Sequence, residues 1–437
     1  MKMRKNKGIT LIALIITIII LLILVGVSIN LAIKGDLFGS AEKAVEGTND
    51  KTAQEQTRVD ELMGELGRVE EQQRQDNLPG TRVTENTKYV SNGKTAWIPR
   101  GFTVSGIKSE QSIDNGLVIY DIPEGITPDW TNPDSVKTKY NQFVWIPVEV
   151  KSTDTENSIE SFYRSAWATS ASTGGKRTTG LSTDYTEPDS TNDTVDKTGI
   201  AGQITELTKS IYKYGGFYIG RYEAGSTTER TWGSSQTAEF VVQQDKYPYN
   251  WVTWGKSISD VSEGAVYLCN NLYDKTNTNY GATSMLCSGA SWDSMLDFIK
   301  DSSHSVTNST TWGNYIASET YTINRGKYAV YDTSNHTLGN FQDVVNEYSK
   351  EKSTRILLTT GATERNSSKN IYDVAGNLIE WTTESNSSSH RVYRGRLLRR
   401  HYHSSESPLQ HQSDTQQRQR RVSPSTFCKA VSLQAIH

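Results

Sequence analysis

"NIYDVAGNLIEW", residues 370–381, is the stretch on which the reading of this chain turns. Gly376-Asn377 is a turn signal between two apolar steps. Leu378, Ile379 and Trp381 then have the composition of a strand that packs into a core. Glu380 stands among them. If buried it needs a partner, and a cation is the economical one. The same residues also admit a Glu that faces solvent, with Asp373 in a turn.

Working outward, "AGQITELTKSIYKYGGFYIGRYEAG" (201–225) reads as a short helix closed by Gly215-Gly216. A strand follows in which Phe217, Ile219 and Tyr222 face a core. "YPYNWVTWGKS" (247–257) comes next. "GASWDSMLDFIKD" (289–301) has the apolar spacing of a helix with Trp292, Met295, Leu296 and Ile299 on one face. Upstream, "TAWIPRGFTVSG", "GLVIYDIPEG" and "NQFVWIPVEV" are strand-like runs. Residues 151–200, mostly Ser, Thr, Asp, Asn and Gly, are expected to form a long exposed loop inserted in the domain.

These segments, in this order, resemble the formylglycine-generating enzyme family, or sulfatase-modifying-factor domain. The resemblance covers roughly residues 95–395 and rests on "GGFYIGRYEAG", "PYNWVTW", "ASWDSMLDFI", "NIYDVAGNLIEW" and "RVYRG". It implies an α+β unit with the C-type-lectin-like fold and little regular secondary structure. It also implies a structural Ca²⁺ held by the side chains of Asp373 and Glu380 and the carbonyls of Gly376 and Leu378. Hard oxygen donors suit that ion. The family's oxidase chemistry uses copper on two thiolates, the soft ligands that Cu(I) prefers. Those cysteines lie just after an "RVxRGGS" turn. Here "RVYRG" (391–395) is followed by Arg396, and the next cysteine is Cys428. No copper and no catalysis are therefore expected. Relatives without the cysteines include ligand-binding proteins diversified by retroelements.

The N-terminus sets the address. Lys2, Arg4, Lys5 and Lys7 precede an uncharged run from Gly8 to Ile33, long enough to cross a ~30 Å hydrocarbon core. The positive-inside rule puts residues 1–7 in the cytoplasm and the rest outside, at a bacterial cell surface. "KGITLIALIITI" resembles the leader of type IV prepilins and pseudopilins, in which a membrane peptidase cuts after the glycine. Here that is Gly8, leaving Ile9 as the new N-terminus. The family's Glu at the fifth mature position is replaced by Ala13, which puts filament assembly in question. A plain single-span anchor is the other reading.

The expected organisation is a leader and membrane helix (1–34), a helical stalk (35–75), a linker (76–94), the lectin-like domain (95–395) and a basic tail (396–437). In the stalk, Val59, Leu62, Met63, Leu66 and Val69 form a narrow apolar stripe, for a partner helix or as one weak face of a solvated helix. The tail has no Asn or Trp and is rich in Arg, Gln, Ser and His, so it offers no evident closing strand. A change of reading frame after Gly395 accounts for that shift. Codons for residues 422–429 can be written so that the displaced frame reads Arg-Val-Ala-Leu-Tyr-Ile-Leu-stop. A natural basic tail is the alternative.

A net charge of −3 and basic runs without interleaved aromatics argue against a nucleic-acid partner. Cys269 and Cys287 can form at most one bridge with each other. His401 and His403 are a weak metal motif, and no phosphate loop, HExxH or GxSxG is present. The expected function is display of a non-catalytic binding domain for an extracellular glycan or peptide. A minor pilin or pseudopilin with a globular head comes second, and a formylglycine-type oxidase third.

Overall fold

The computed structural model describes residues 18, 41–178, 187, 199–231, 233–257, 260–315, 318–332, 334, 337–387 and 390–395, with three short strands near the C-terminus. The chain divides into two units, Met1–Gln72 and Gln73–His437. Helix α1 (Ala41–Asp76) forms where Pro is absent and Ala, Glu, Gln and Lys dominate. Its stripe residues Val59, Leu62, Met63 and Val69 are exposed. Among the described residues no helix is long and apolar enough to cross a membrane. Gly8, Ile9, Ala13 and all of the run 8–33 except Ile18 lie outside the described residues, as do His401 and His403.

The second unit is α+β. Its main sheet contains β1 (Thr103–Val104), β2 (Val118–Tyr120), β3 (Gln142–Pro147), β4 (Gly216–Gly220) and β5 (Ala282–Leu286). A long hairpin, β6 (Ile379–Ser387) and β7 (His390–Gly395), follows, and the last strand is β8 (Val431–Ala435). The main sheet has the order β5-β8-β4-β3-β2-β1 and is antiparallel throughout. Alternate residues feed two cores, as the period of a strand requires. Phe143, Trp145 and Tyr218 enter one core, while Val144, Ile146, Phe217 and Ile219 enter the other. Burial on both faces explains why these strands read as continuous apolar runs.

The expected helices are present. Helix α2 (Ile200–Tyr214) ends on Gly215, whose left-handed φ of 76° closes the last turn through its N–H to Ile211 O. A further helix, not expected from the sequence, α3 (Gly264–Leu272), packs on β5. Helix α4 (Gly289–Ile299) starts at Ser288, whose hydroxyl caps Ser291 N–H, and buries Trp292, Met295, Leu296 and Ile299.

Three expectations are corrected. Residues 151–178 are not simply an exposed loop: Ala166–Ala168 pairs with Lys176–Thr178, and Ile159 and Trp167 enter a core. A polar average hid these few apolar anchors. The stretch 76–94 is not a detached linker, because Leu78, Val83 and Tyr89 are buried with the domain core. Finally, where the sequence offers no evident strand after Gly395, the main chain of β8 pairs inside the main sheet.

Candidate functional site

The turn in "DVAGNL" is built from three left-handed residues: Asp373 (φ 59°), Gly376 (φ 119°) and Asn377 (φ 63°). A Cβ on Gly376 would lie 2.3 Å from Asn314 O, so glycine is required there. Asn377 is fully buried and uses its whole amide. Its Nδ2 donates to Glu223 Oε2 (2.8 Å) and Leu358 O (3.1 Å), and its Oδ1 accepts from Asn314 Nδ2 (3.0 Å) and Leu358 N (2.8 Å). Glu223 comes from "GRYEAG", so this amide ties two of the quoted segments together. Sequence reasoning passed over Asn377 as a mere turn residue.

The four candidate calcium ligands fall in this region. Asp373 and Glu380 are both buried. Asp373 Oδ2 accepts from Gly361 N (2.8 Å), Gly376 O accepts from Leu378 N (2.9 Å), and Leu378 N also faces Glu223 Oε1 (3.4 Å). Among the described residues no group of three or more His, Cys, Asp or Glu is placed to hold a metal ion.

Beyond Glu380, the β6–β7 hairpin carries a buried ionic cluster. Arg394, from "RVYRG", donates to Asp293 Oδ1 (2.9 Å) and, through Nε and Nη2, to both oxygens of Glu384 (2.6 and 2.7 Å). Arg164 also pairs with Glu384. Burial opposes the charge on Arg394, but Asp293 and Glu384 outweigh it and hold the guanidinium firmly protonated. Glu187, from the polar insertion, accepts from Thr383 Oγ1 (2.7 Å) and from Ala290 N (3.2 Å) at the start of α4. Burial, and then the charge of Glu384, push the Glu187 carboxyl up to about 7.

A second cluster surrounds Arg221 of "GRYEAG". Its guanidinium meets Glu110 Oε1 at 2.8 Å and lies near the rings of Tyr222 and Tyr372. Lys137 reaches the same oxygen at 3.2 Å. Burial raises the Glu110 carboxyl, yet Arg221, Lys137 and the Ser105 hydroxyl overcome that and hold it at about 2. Both clusters turn charges inward on one another, and their role is to lock segments distant in sequence.

Cys269 and Cys287 are buried and not joined by a disulfide. Burial pushes the Cys287 thiol well up, and its Sγ donates to Ser288 O (3.3 Å). That is a protonated thiol, not the thiolate a soft metal binds.

The surface offers a different feature. Trp251 sits at φ 57°, a left-handed conformation that costs a bulky L-residue about 1–2 kcal/mol. Its surroundings over-determine it. Gln236 Nε2 donates to Trp251 O (3.0 Å) while Gln236 Oε1 accepts from Thr253 N (2.9 Å). Arg230 Nε donates to Asn250 O (3.0 Å), with its guanidinium 3.8 Å from the Tyr249 ring centroid. Trp251 is half-buried, as are Phe240, Tyr247 and Phe341. Phe240 packs edge-on to Tyr249, and Tyr247 edge-on to Phe341. Nothing in "YNWVT" announces this conformation. Compared with known proteins, the chain matches no family model, no curated protein and no solved structure.

Proposed function

We propose that this chain is a membrane-anchored, surface-displayed binding protein whose C-type-lectin-like, sulfatase-modifying-factor domain recognises an extracellular glycan or peptide without catalysis. The observation that carries the reading is Trp251. Backbone strain of this kind persists only where surrounding structure enforces it, and it concentrates where ligands are held. Gln236 fixes the Trp251 carbonyl and Arg230 the Asn250 carbonyl, and the backbone so held presents a half-buried indole suited to a sugar ring or an apolar side chain. The test is binding of the full chain to glycan and peptide arrays, with W251A alongside wild type. The expected result is a bound class that W251A loses with its melting temperature unchanged. Equal binding by W251A, or no binding by wild type, removes this reading.

The uncharged run 8–33 supports a single-pass anchor with the domain outside the cell. The exposed stripe Val59–Leu62–Met63–Val69 favours a second reading, a minor pilin or pseudopilin packed by α1 against other subunits. Prepilin-peptidase cleavage after Gly8, read as an Ile9 N-terminus by mass spectrometry, together with filament co-purification supports it. An uncleaved monomer excludes it. A structural Ca²⁺ at Asp373, Gly376, Leu378 and Glu380 belongs to the same proposal, with the two buried carboxylates supporting it. Ca²⁺ is expected to raise the melting temperature of wild type and not of E380Q. Identical melts with Ca²⁺ and with chelator would dismiss it.

A further inference from the structure

Arg221 and Tyr222 directly follow β4, and both side chains are buried. The Arg221 guanidinium pairs through its η nitrogens. Nη1 donates to Tyr120 Oη (3.2 Å) and Gln142 Oε1 (3.2 Å), and Nη2 to Glu110 Oε1 (2.8 Å) and Asn370 Oδ1 (3.5 Å). Its Nε–H has no hydrogen-bond partner among the described residues, and neither has the Tyr222 hydroxyl or the Arg325 Nε–H. All three atoms are buried. Folded proteins pair nearly every such group, so an unpaired set of donors calls for an explanation.

The three donors belong to one connected group. Arg221 Cζ lies 5.3 Å from the Tyr222 ring centroid and 5.5 Å from that of Tyr372, and the two rings are 5.0 Å apart. Tyr372 Oη donates to Glu364 Oε2 (2.5 Å), and Arg325 Nη2 donates to Glu364 Oε1. Arg325 thereby comes within electrostatic range of both tyrosines. Gly361 lies against the Tyr222 ring, where a Cβ would be 2.4 Å from Cε1. Burial, ahead of every other cause, holds the Tyr222 phenol protonated, so it remains a donor. Arg325 is half-buried and Glu364 exposed, and the group opens to solvent on their side.

The chemistry of the set is one-sided. A guanidinium donates and never accepts. Three cations, Arg221, Arg325 and Lys137, are joined here to two carboxylates, Glu110 and Glu364. A water cannot accept from all three donors, and it brings O–H groups that need acceptors of their own. An anion accepts from every donor around it and offsets the surplus positive charge, through the stronger, charge-assisted kind of bond. We propose that Arg221, Tyr222 and Arg325 form a binding site for a small monovalent anion, either chloride or the carboxylate group of a larger ligand. This inference stands without the Trp251 reading, because it uses none of the same residues.

The test uses the full chain, purified without chloride, and two probes, sodium chloride and sodium acetate. Chloride binding is read from the broadening of the chloride NMR line. Melting temperatures in chloride and in acetate, against sodium sulfate at equal ionic strength, give a second readout. Y222F removes one donor with little change of shape, and R325Q removes another at the half-buried rim. Wild type is expected to broaden the line and to melt higher in the bound anion. Losing one donor to a charged acceptor should weaken binding roughly tenfold in either variant. Displacement of chloride by acetate assigns the site to carboxylates, and failure to displace it assigns the site to halides. No response of wild type to either probe, or an equal response by both variants, would overturn the site. So would a Y222F protein that melts higher than wild type in every salt, because deleting an unpaired buried hydroxyl is neutral or stabilising. If Y222F fails to fold, R325Q carries the same comparison.

Discussion

Replacing Arg394 by Met tests whether the ionic cluster holds the hairpin in place. The guanidinium makes three bonds, at 2.9 Å to Asp293 and at 2.6 and 2.7 Å to Glu384, with all three side chains fully buried. Taken singly, charge-assisted bonds contribute ~1.5–3 kcal/mol each. Their simple sum overstates the loss, because Arg164 stays on Glu384 and the carboxylates can escape charge by taking protons. Removing one partner of a buried ion pair typically costs about 3–5 kcal/mol, and that is the expected loss at pH 7. For a unit of this size it corresponds to a fall of about 4–7 °C in melting temperature. The pH dependence carries the sharper test. Burial already raises the Asp293 carboxyl, with Arg394 opposing. Without Arg394 the folded-state pKa of Asp293 climbs further above its unfolded value. Stability is then lost as pH rises through that folded value, so the deficit of R394M should be large at pH 7–8 and small near pH 4. Thermal melts of both proteins across that range measure it. A loss below ~1 kcal/mol at pH 7, or one equal at pH 4 and pH 7, would refute the reasoning.

Other perturbations probe neighbouring points. Glu187, pushed up to about 7 by burial and Glu384, should make wild type lose stability as pH rises from its unfolded value to about 7. E187Q should match wild type at pH 4 and melt higher at pH 8; the opposite order would place Glu187 elsewhere. Asp121 is raised to about 6 by burial, against hydrogen bonds from Tyr273 and Asn141, so stability should fall from about pH 4 to 6. D121N should flatten that window, read by comparing melts on either side of it. G376A puts a Cβ 2.3 Å from Asn314 O at φ 119° and should destabilise by ~1–3 kcal/mol or more in urea titrations. A neutral G376A would mean that this turn is not as tight as described.

The parts legible in the sequence are those whose cause is local. Helix α4 was readable because Trp292, Met295, Leu296 and Ile299 recur at helical spacing, and all four are buried. The end of α2 was readable because Gly215 takes the left-handed cap that other residues resist. Glu380 was expected among core residues if its strand is buried, and it is fully buried. The insertion misled for the opposite reason. Its Ser- and Thr-rich average concealed Trp167, whose indole and neighbouring Ser165 N–H both reach Asp293.

By itself the sequence determined where periodicity, capping and apolar runs place helices and strands, and it supplied the hydrophobic N-terminal run. Only the tertiary structure decided that Asn377 ties Glu223 to Asn314, that Arg394 joins Glu384 to Asp293, and that Val431–Ala435 slots between β5 and β4. It alone set Trp251 at a positive φ. The physical reason is range. Local conformation depends on neighbours within one turn or one strand repeat. A buried polar group, by contrast, takes whichever partner the packed core brings within hydrogen-bonding distance, and sequence spacing does not encode that meeting.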